Sequence, residues 1–380
     1  MHTRTHTKLA STHDTIFFLN HCSHVHTHTH THFSQVIWST FYTSSSSDHG
    51  SLGQLFALLR RLPAAKKPKN NMNACTEVIF TVFKGYILAY TCKELGIDDI
   101  DSDICLPLPK SASRTDKLRY IVGLGTEVML NCTIIEDAIL GRPIPESGDG
   151  KYNYTRTLCH YVSLALELFD GWHNGDGIRD TRSWRVLLPH FFATGHTKYA
   201  LEAVRLQMQL ASLPPRLVHQ ITWGRFVNTH GGLGHNQPCD FHNEHVNKLI
   251  KEHIKHMGSN FSQKAITNVA RSVSFMEIVT NKFDQQCGIH AESSAHSTRS
   301  DVDDVKKVVS IVLREKLWDI KKGRIFYKFK TMSSNPLKRL NRDKLTSWMT
   351  EKIKQYKVYR QLQEGDVSDI EDNDSSTDTN

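Results

Sequence analysis

No stretch of this 380-residue chain reaches the roughly 18 consecutive apolar residues that a membrane-spanning helix needs. The closest, 78–92, carries Lys84 and reads as a buried helix. Ile16–Leu19 is too brief for the apolar core of a signal peptide, which needs roughly 7–15 residues, so an intracellular protein is expected. The eight cysteines follow no repeated spacing and form no CxxC, which points to reduced, mostly buried thiols rather than a disulfide scaffold. Strand signals are nearly missing, with Arg324–Lys330 the one plausible short strand. His230-Gly-Gly-Leu-Gly-His235 is followed by no Gly-Lys-Ser/Thr and preceded by no clear strand, so it reads as a flexible loop rather than a phosphate cradle. Asp170–Asp180 has the flavour of a calcium loop, but with Gly177 at the sixth position Trp172 and Ser183 stand where carboxylates are required. A tight turn capping the next helix, with Asp180 or Thr181 near the N-cap, is expected instead.

What is present is helical periodicity. Hydrophobic residues make up 39% and charged residues 23%, enough apolar side chain for a core. Residues 1–50 stand apart: ten histidines interleaved with threonine, as in His26-Thr-His-Thr-His-Thr-His32, are the pattern of a translated CA repeat. They read as a disordered low-complexity segment, with metal capture by a His-rich tract as the competing functional reading and adventitious Ni²⁺ or Zn²⁺ binding expected under either. Folded sequence is expected from Ser51 to Arg360. Helices are predicted over 72–95, 115–140, 154–169, 183–192, 197–210, 240–257, 262–283, 301–317 and 340–363. The Gly/Asn/Asp-rich stretch 170–180 suggests a boundary between two lobes. The fold class predicted is mainly α, a multi-helix globular domain.

The charge is unevenly spread. Residues 361–380 form an acidic tail without Lys or Arg, and setting its seven carboxylates aside raises the formal net charge from +8 to +15. Between Lys316 and Arg360, fourteen Lys or Arg face three acids. Lys338, Arg339, Arg342, Lys344, Lys352, Lys354 and Lys357 stand out, with Phe326, Tyr327, Phe329 and Trp348 interleaved. Cations neutralise phosphates and aromatics stack on bases, so a nucleic-acid surface competes with a merely solvated helix face. The acidic tail is positioned in the sequence to fold back on this patch.

The richest segment is Pro238-Cys-Asp-Phe-His-Asn-Glu-His-Val-Asn247, running into a helix. Asp240, Asn243, Glu244 and Asn247 share one stripe, and Val246, Leu249, Ile250, Ile254 and Met257 another. Three readings stay open. Cys239, His242 and His245 are candidate Zn²⁺ ligands, one short of a structural set and not aimed at a single point. Asp240 and Glu244, one turn apart, are a candidate carboxylate pair for Mg²⁺. The third reading is a buried helix whose histidines hydrogen-bond in the core.

Several strings occur together in order: Asn174-Gly-Asp-Gly-Ile-Arg179, Trp184, Leu187-Leu-Pro-His-Phe191, Gly195-His-Thr-Lys-Tyr-Ala-Leu-Glu-Ala203, Trp223-Gly-Arg-Phe-Val-Asn228, Gly231-Gly-Leu-Gly234, Cys239-Asp240 and Asn243-Glu-His-Val-Asn-Lys248. Ala270-Arg-Ser-Val-Ser274, His296-Ser and Ser300-Asp301 follow. Jointly they resemble domain of unknown function 6589, an uncharacterised family of invertebrate and fungal proteins whose many genomic copies suggest descent from transposons. The resemblance covers roughly 70–359. It implies an RNase-H-like element using three carboxylates on Mg²⁺, with Asp240 or Glu244 as the late carboxylate and Asp170 or Asp176 as a middle one. The Gly-Asp-Gln-Leu-Thr string that opens fuller members is missing here, and a site lacking its first Asp should not cleave. The expectation is a non-catalytic, transposon-derived domain that binds nucleic acid through its basic C-terminal third. A degenerate Mg²⁺-dependent nuclease or transposase relic and a helical protein-interaction module are the alternatives.

Overall fold

The structure is a computed structural model that describes residues 26–66, 71–102, 108–109, 111–133, 147–229, 231–255, 262–288, 301–333 and 335–357. Those residues form a mainly α fold. In chain order the helices are α1 (His26–Phe41), α2 (Leu52–Leu58), α3 (Leu62–Lys66), α4 (Met72–Glu94), α5 (Arg114–Thr133), α6 (Gly150–Asn174), α7 (Gly177–Ala193), α8 (Thr197–Ser212) and α9 (Pro215–Trp223). Strands β1 (Phe226–Val227) and β2 (Gln237–Pro238) then pair antiparallel, with Phe226 opposite Pro238. Helices α10 (Cys239–Lys255), α11 (Gln263–Gln286) and α12 (Val302–Arg314) follow, and α13 spans 342–357. No helix among the described residues is long and apolar enough to cross a membrane. The acidic tail and the start of the His-Thr segment lie outside the described residues, as do Met257 and the predicted helix stop at Gly141.

Helix α6 is the axis of the core. Tyr154, Leu158, Tyr161, Ala165, Leu168 and Trp172 recur every three or four residues and are buried. Its N-terminus is held by Asp149, fully buried, whose Oδ1 accepts from the backbone N–H of Lys151 and Tyr152 at 3.0 and 3.1 Å. Oδ2 of the same carboxylate accepts from Lys321 N–H at 2.7 Å and from the Arg324 guanidinium at 2.5 and 2.9 Å. Arg324 is thus a structural cation that ties the C-terminal segment to α6. The buried Asp149 charge is compensated by the half-buried guanidinium, as a charge in the interior must be.

Helix α12 lies on α4 at very short range, which only a glycine allows: a Cβ on Gly85 would come within 2.4 Å of Val308 Cγ1. Val305, Val308, Val309 and Val312 fill that contact, and Trp318 beyond it donates its indole N–H to the Tyr86 carbonyl at 2.9 Å.

Two expectations from the sequence are corrected here. Folded structure begins before Ser51. Phe33, Val36, Ile37 and Phe41 of α1 are buried, and Phe33 packs against Tyr161 and Phe191 with ring centroids 6.0 and 5.9 Å apart. The Tyr154 hydroxyl donates to the Phe41 carbonyl at 2.6 Å, and Asp48 accepts from Tyr327 and Lys328 N–H. The i, i+3, i+4, i+8 spacing of those four apolar residues was masked by the surrounding His and Thr. Second, Arg324–Lys330 is irregular and turn-like rather than a strand, because Asp48 and the burial of Phe326 fix its path. The stretch 170–180 forms a tight corner between α6 and α7. Helix α7 folds straight back onto α6, with Leu187 and Phe191 in the main core and Trp184 and Leu188 in a second cluster with α8 and α9.

Candidate functional site

The strings that stand out in the sequence meet at one place, where the α6–α7 corner touches the α9–β1 turn and the start of α10. Gly175 ends α6 in the left-handed region at φ 65°, and Asp176 caps α7 by accepting from Arg179 N–H at 3.0 Å. Gly177 has no room for a side chain, since a Cβ there would lie 1.9 Å from the Thr222 carbonyl oxygen. The N-cap is therefore Asp176, not Asp180 or Thr181.

Asp180 is instead the centre of the junction. It is wholly buried and accepts from the Trp172 indole N–H at 2.8 Å. Its other oxygen lies 3.3 Å from Arg225 Nε, and the Arg225 guanidinium sits 6.0 Å from the Trp184 ring. Burial pushes the Asp180 carboxyl above its ordinary range, opposed by the Arg225 charge and by hydrogen bonds from Trp172 and Trp184. The Arg225 carbonyl accepts from Cys239 N–H at 2.8 Å, which starts α10, and the Cys239 thiol faces the Gly224 carbonyl at 3.4 Å. Burial raises the Cys239 thiol, with Asp240 adding to the rise and Arg225 opposing it. Asn236 donates from its backbone and its side chain to the His173 carbonyl, closing the hairpin onto α6. Asp180, Arg225, Trp172 and Trp184 escaped sequence reasoning as a unit, although a lone Arg in Trp223-Gly-Arg-Phe-Val227 was the available sign of a buried charge needing a partner.

The candidate metal residues are placed as follows. Arg179 draws in two carboxylates: its guanidinium bonds the Asp170 carboxylate and lies 3.3 Å from Asp176 Oδ2. The Asp176 carboxyl is held below its usual range, first by Arg179 N–H and then by its side chain. Asp240 is buried at the first turn of α10, while Glu244, one turn on, is exposed. His242 is half-buried and His245 exposed. Among the described residues no group of three or more His, Cys, Asp or Glu is placed to hold a metal ion. Neither the Mg²⁺ set Asp170, Asp176, Asp240 and Glu244 nor the Zn²⁺ set Cys239, His242 and His245 comes together there. Nor do those residues contain an RNase-H-like sheet, their only strands being β1 and β2. The third reading of α10 also changes: Val246, Leu249, Ile250 and Ile254 are only half-buried, so the helix lies at the surface.

The basic residues occupy a different face. Leu345, Trp348, Met349 and Ile353 of α13 pack on the second cluster, formed by Trp184, Leu188, Ala203, Val204, Leu206 and Ile221. Trp348 meets Phe192 with ring centroids 5.2 Å apart. With that stripe inward, Lys344, Lys354 and Lys357 fall on the outer arc at about 100° per residue, and all three are exposed. Lys338, Arg339 and Arg342 are exposed just before them. Lys352 is half-buried and bonds Gln355 Oε1 at 3.0 Å. The aromatics are mostly core: Phe326 is fully buried and Phe329 packs on Tyr154 with ring centroids 4.8 Å apart. Tyr327 alone of the four is strongly exposed, with Lys328 and Lys330 ammonium groups 5.5 and 4.8 Å from its ring centroid. The stacking surface expected from the sequence is therefore reduced to one ring.

Comparison with curated proteins finds no match, and comparison with solved structures finds none either. A family profile does match, over residues 21–296, which include α1 and every string that meets at the Asp180 junction. The chain belongs to DUF6589, a family of unknown function.

Proposed function

We propose that this chain is a non-catalytic, sequence-tolerant nucleic-acid-binding module of mobile-element descent that works inside the cell. The observation that carries the reading is the mounting of α13. An apolar stripe fixes the helix on α7–α9, so the ammonium groups of Lys344, Lys354 and Lys357 are presented outward from a rigid support, beside Lys338, Arg339 and Arg342. Cations held this way contact successive phosphates without base readout, which gives affinity that falls steeply with salt. Tyr327, flanked by two lysines, adds one ring for stacking on an unpaired base.

Support for the non-catalytic part comes from Arg179, which engages both Asp170 and Asp176 in an ion-pair knot rather than leaving them to a cation. The six cysteines among the described residues that are free suit a reducing compartment.

The test is binding of the full chain to a labelled duplex across a salt series, with Lys344→Gln, Lys354→Gln and Lys357→Gln combined. The expected result is a linear fall of log affinity with log salt, its slope shallower by about 3 in the triple variant. An absence of binding at low salt would overturn the reading.

A further inference from the structure

Helix α11 has two apolar faces, and the fold covers one. Val273 is buried where α11 packs on α10. Away from that contact Phe275 is 68% exposed, Ile278 54% and Val279 48%, and along the adjoining flank Met276 is 47% and Phe283 59% exposed. Taking about 200 Å² for a fully exposed side chain of this size, the five present ~550 Å² of apolar surface on one helix. A contiguous patch of that size marks an interaction surface rather than ordinary scatter.

We propose that this face joins two copies of the chain, α11 against α11, antiparallel about a two-fold axis near Val279. The order of side chains argues for a second copy as the occupant. Phe275, Val279 and Phe283 are spaced four residues apart, so the outer ridge reads Phe–Val–Phe in either direction along the helix. Antiparallel pairing then places Phe275 across from the partner's Phe283 and Val279 across from its own counterpart, the self-complementarity that an isologous contact requires. The same register sets exposed Lys282 opposite Met276, where its four-carbon stem lies along the thioether while the ammonium reaches solvent. Burying the face on both copies removes at most ~1,100 Å² of apolar surface, on the order of the roughly 1,000 Å² that a specific interface needs. With α10 behind each α11, the contact is a four-helix arrangement, a standard way to close such a seam. The surface is separate from the basic face of α13, so its failure would leave the nucleic-acid reading untouched.

Sedimentation of the full chain over about 1–100 µM, a range in which an interface of this size associates, tests the proposal. The expected species has twice the 43.4 kDa chain mass, and Phe275→Asp with Phe283→Asp reverts it to the monomer with its helical circular dichroism kept. A second variant covers the case in which those substitutions unfold the helix. Val279→Cys, made in a Cys287→Ser background because Cys287 is exposed, cross-links to its counterpart under mild oxidation. A monomer across the whole range, or a dimer indifferent to both aspartates and unable to cross-link through position 279, would overturn it.

Discussion

Asp180 and Arg225 are both almost wholly buried, and each compensates the other where water cannot. Removing one partner of such a pair leaves an uncompensated charge in the interior, at a cost of about 3–5 kcal/mol. Asp180→Ala is accordingly expected to lower the urea midpoint sharply, whereas Asp176→Ala, which loses an N-cap and a partly exposed ion pair with Arg179, costs less, about 0.5–2 kcal/mol. Equal effects would contradict the assignment of Asp180 as the centre of the junction. His160 and His190 supply a second test. They are buried side by side, ring centroids 5.3 Å apart, with His160 Nδ1 bonded to the Thr133 carbonyl oxygen at 2.8 Å. Burial pushes both imidazoles below their ordinary range, His190 furthest. The unfolded chain takes up protons at these positions near the ordinary value of about 6.5, while the folded chain stays neutral until lower pH. More protons are then bound by the unfolded state, so stability declines as pH falls from about 6.5 toward the depressed folded values. Urea midpoints at neutral and mildly acid pH should show that decline, and His190→Phe should make it shallower.

At the scale of elements, α1 and α10 show where sequence reading succeeds and fails. The longer helices are legible because their apolar spacing is undiluted: the spacing puts Leu158, Tyr161, Leu164, Ala165 and Leu168 on one face of α6, and all but the half-buried Leu164 are in the core, which extends to Trp172. In α1 the same periodicity is present but embedded in His and Thr, and composition outweighed it. Phe33→Ala tests the correction, with an expected loss of about 3–5 kcal/mol from a core shared with Tyr161 and Phe191. A stability unchanged by that substitution would return α1 to the periphery. Helix α10 failed in the other direction, since its amphipathic stripe promised burial and the helix lies at the surface against α11. The junction itself was only half legible. Its glycines and its caps are local features that sequence shows, but the Asp180–Arg225 pair joins residues 45 apart, and no periodicity reports such a contact. Gly85 belongs to the same class: only the packing of α12 shows that Gly85→Ala should cost about 1–3 kcal/mol through the clash with Val308.

For the whole molecule, charge and apolar surface divide the labour. The formal net charge of +8 is concentrated toward the C-terminal third, and there the structure sorts the cations by role. Arg324 is spent on Asp149, Lys352 bonds within its own helix, and Lys344, Lys354 and Lys357 are turned outward. Charge count alone could not separate those roles, because each cation contributes equally to a sum and unequally to a surface. The central claim is that the outward set contacts phosphates. The most direct measurement is the salt dependence of duplex binding by the full chain and by the Lys344→Gln, Lys354→Gln, Lys357→Gln variant. The account predicts a steep linear slope, reduced by about 3 in the variant, with affinity nearly independent of sequence. Identical slopes for the two proteins, or no binding at low salt, would contradict it.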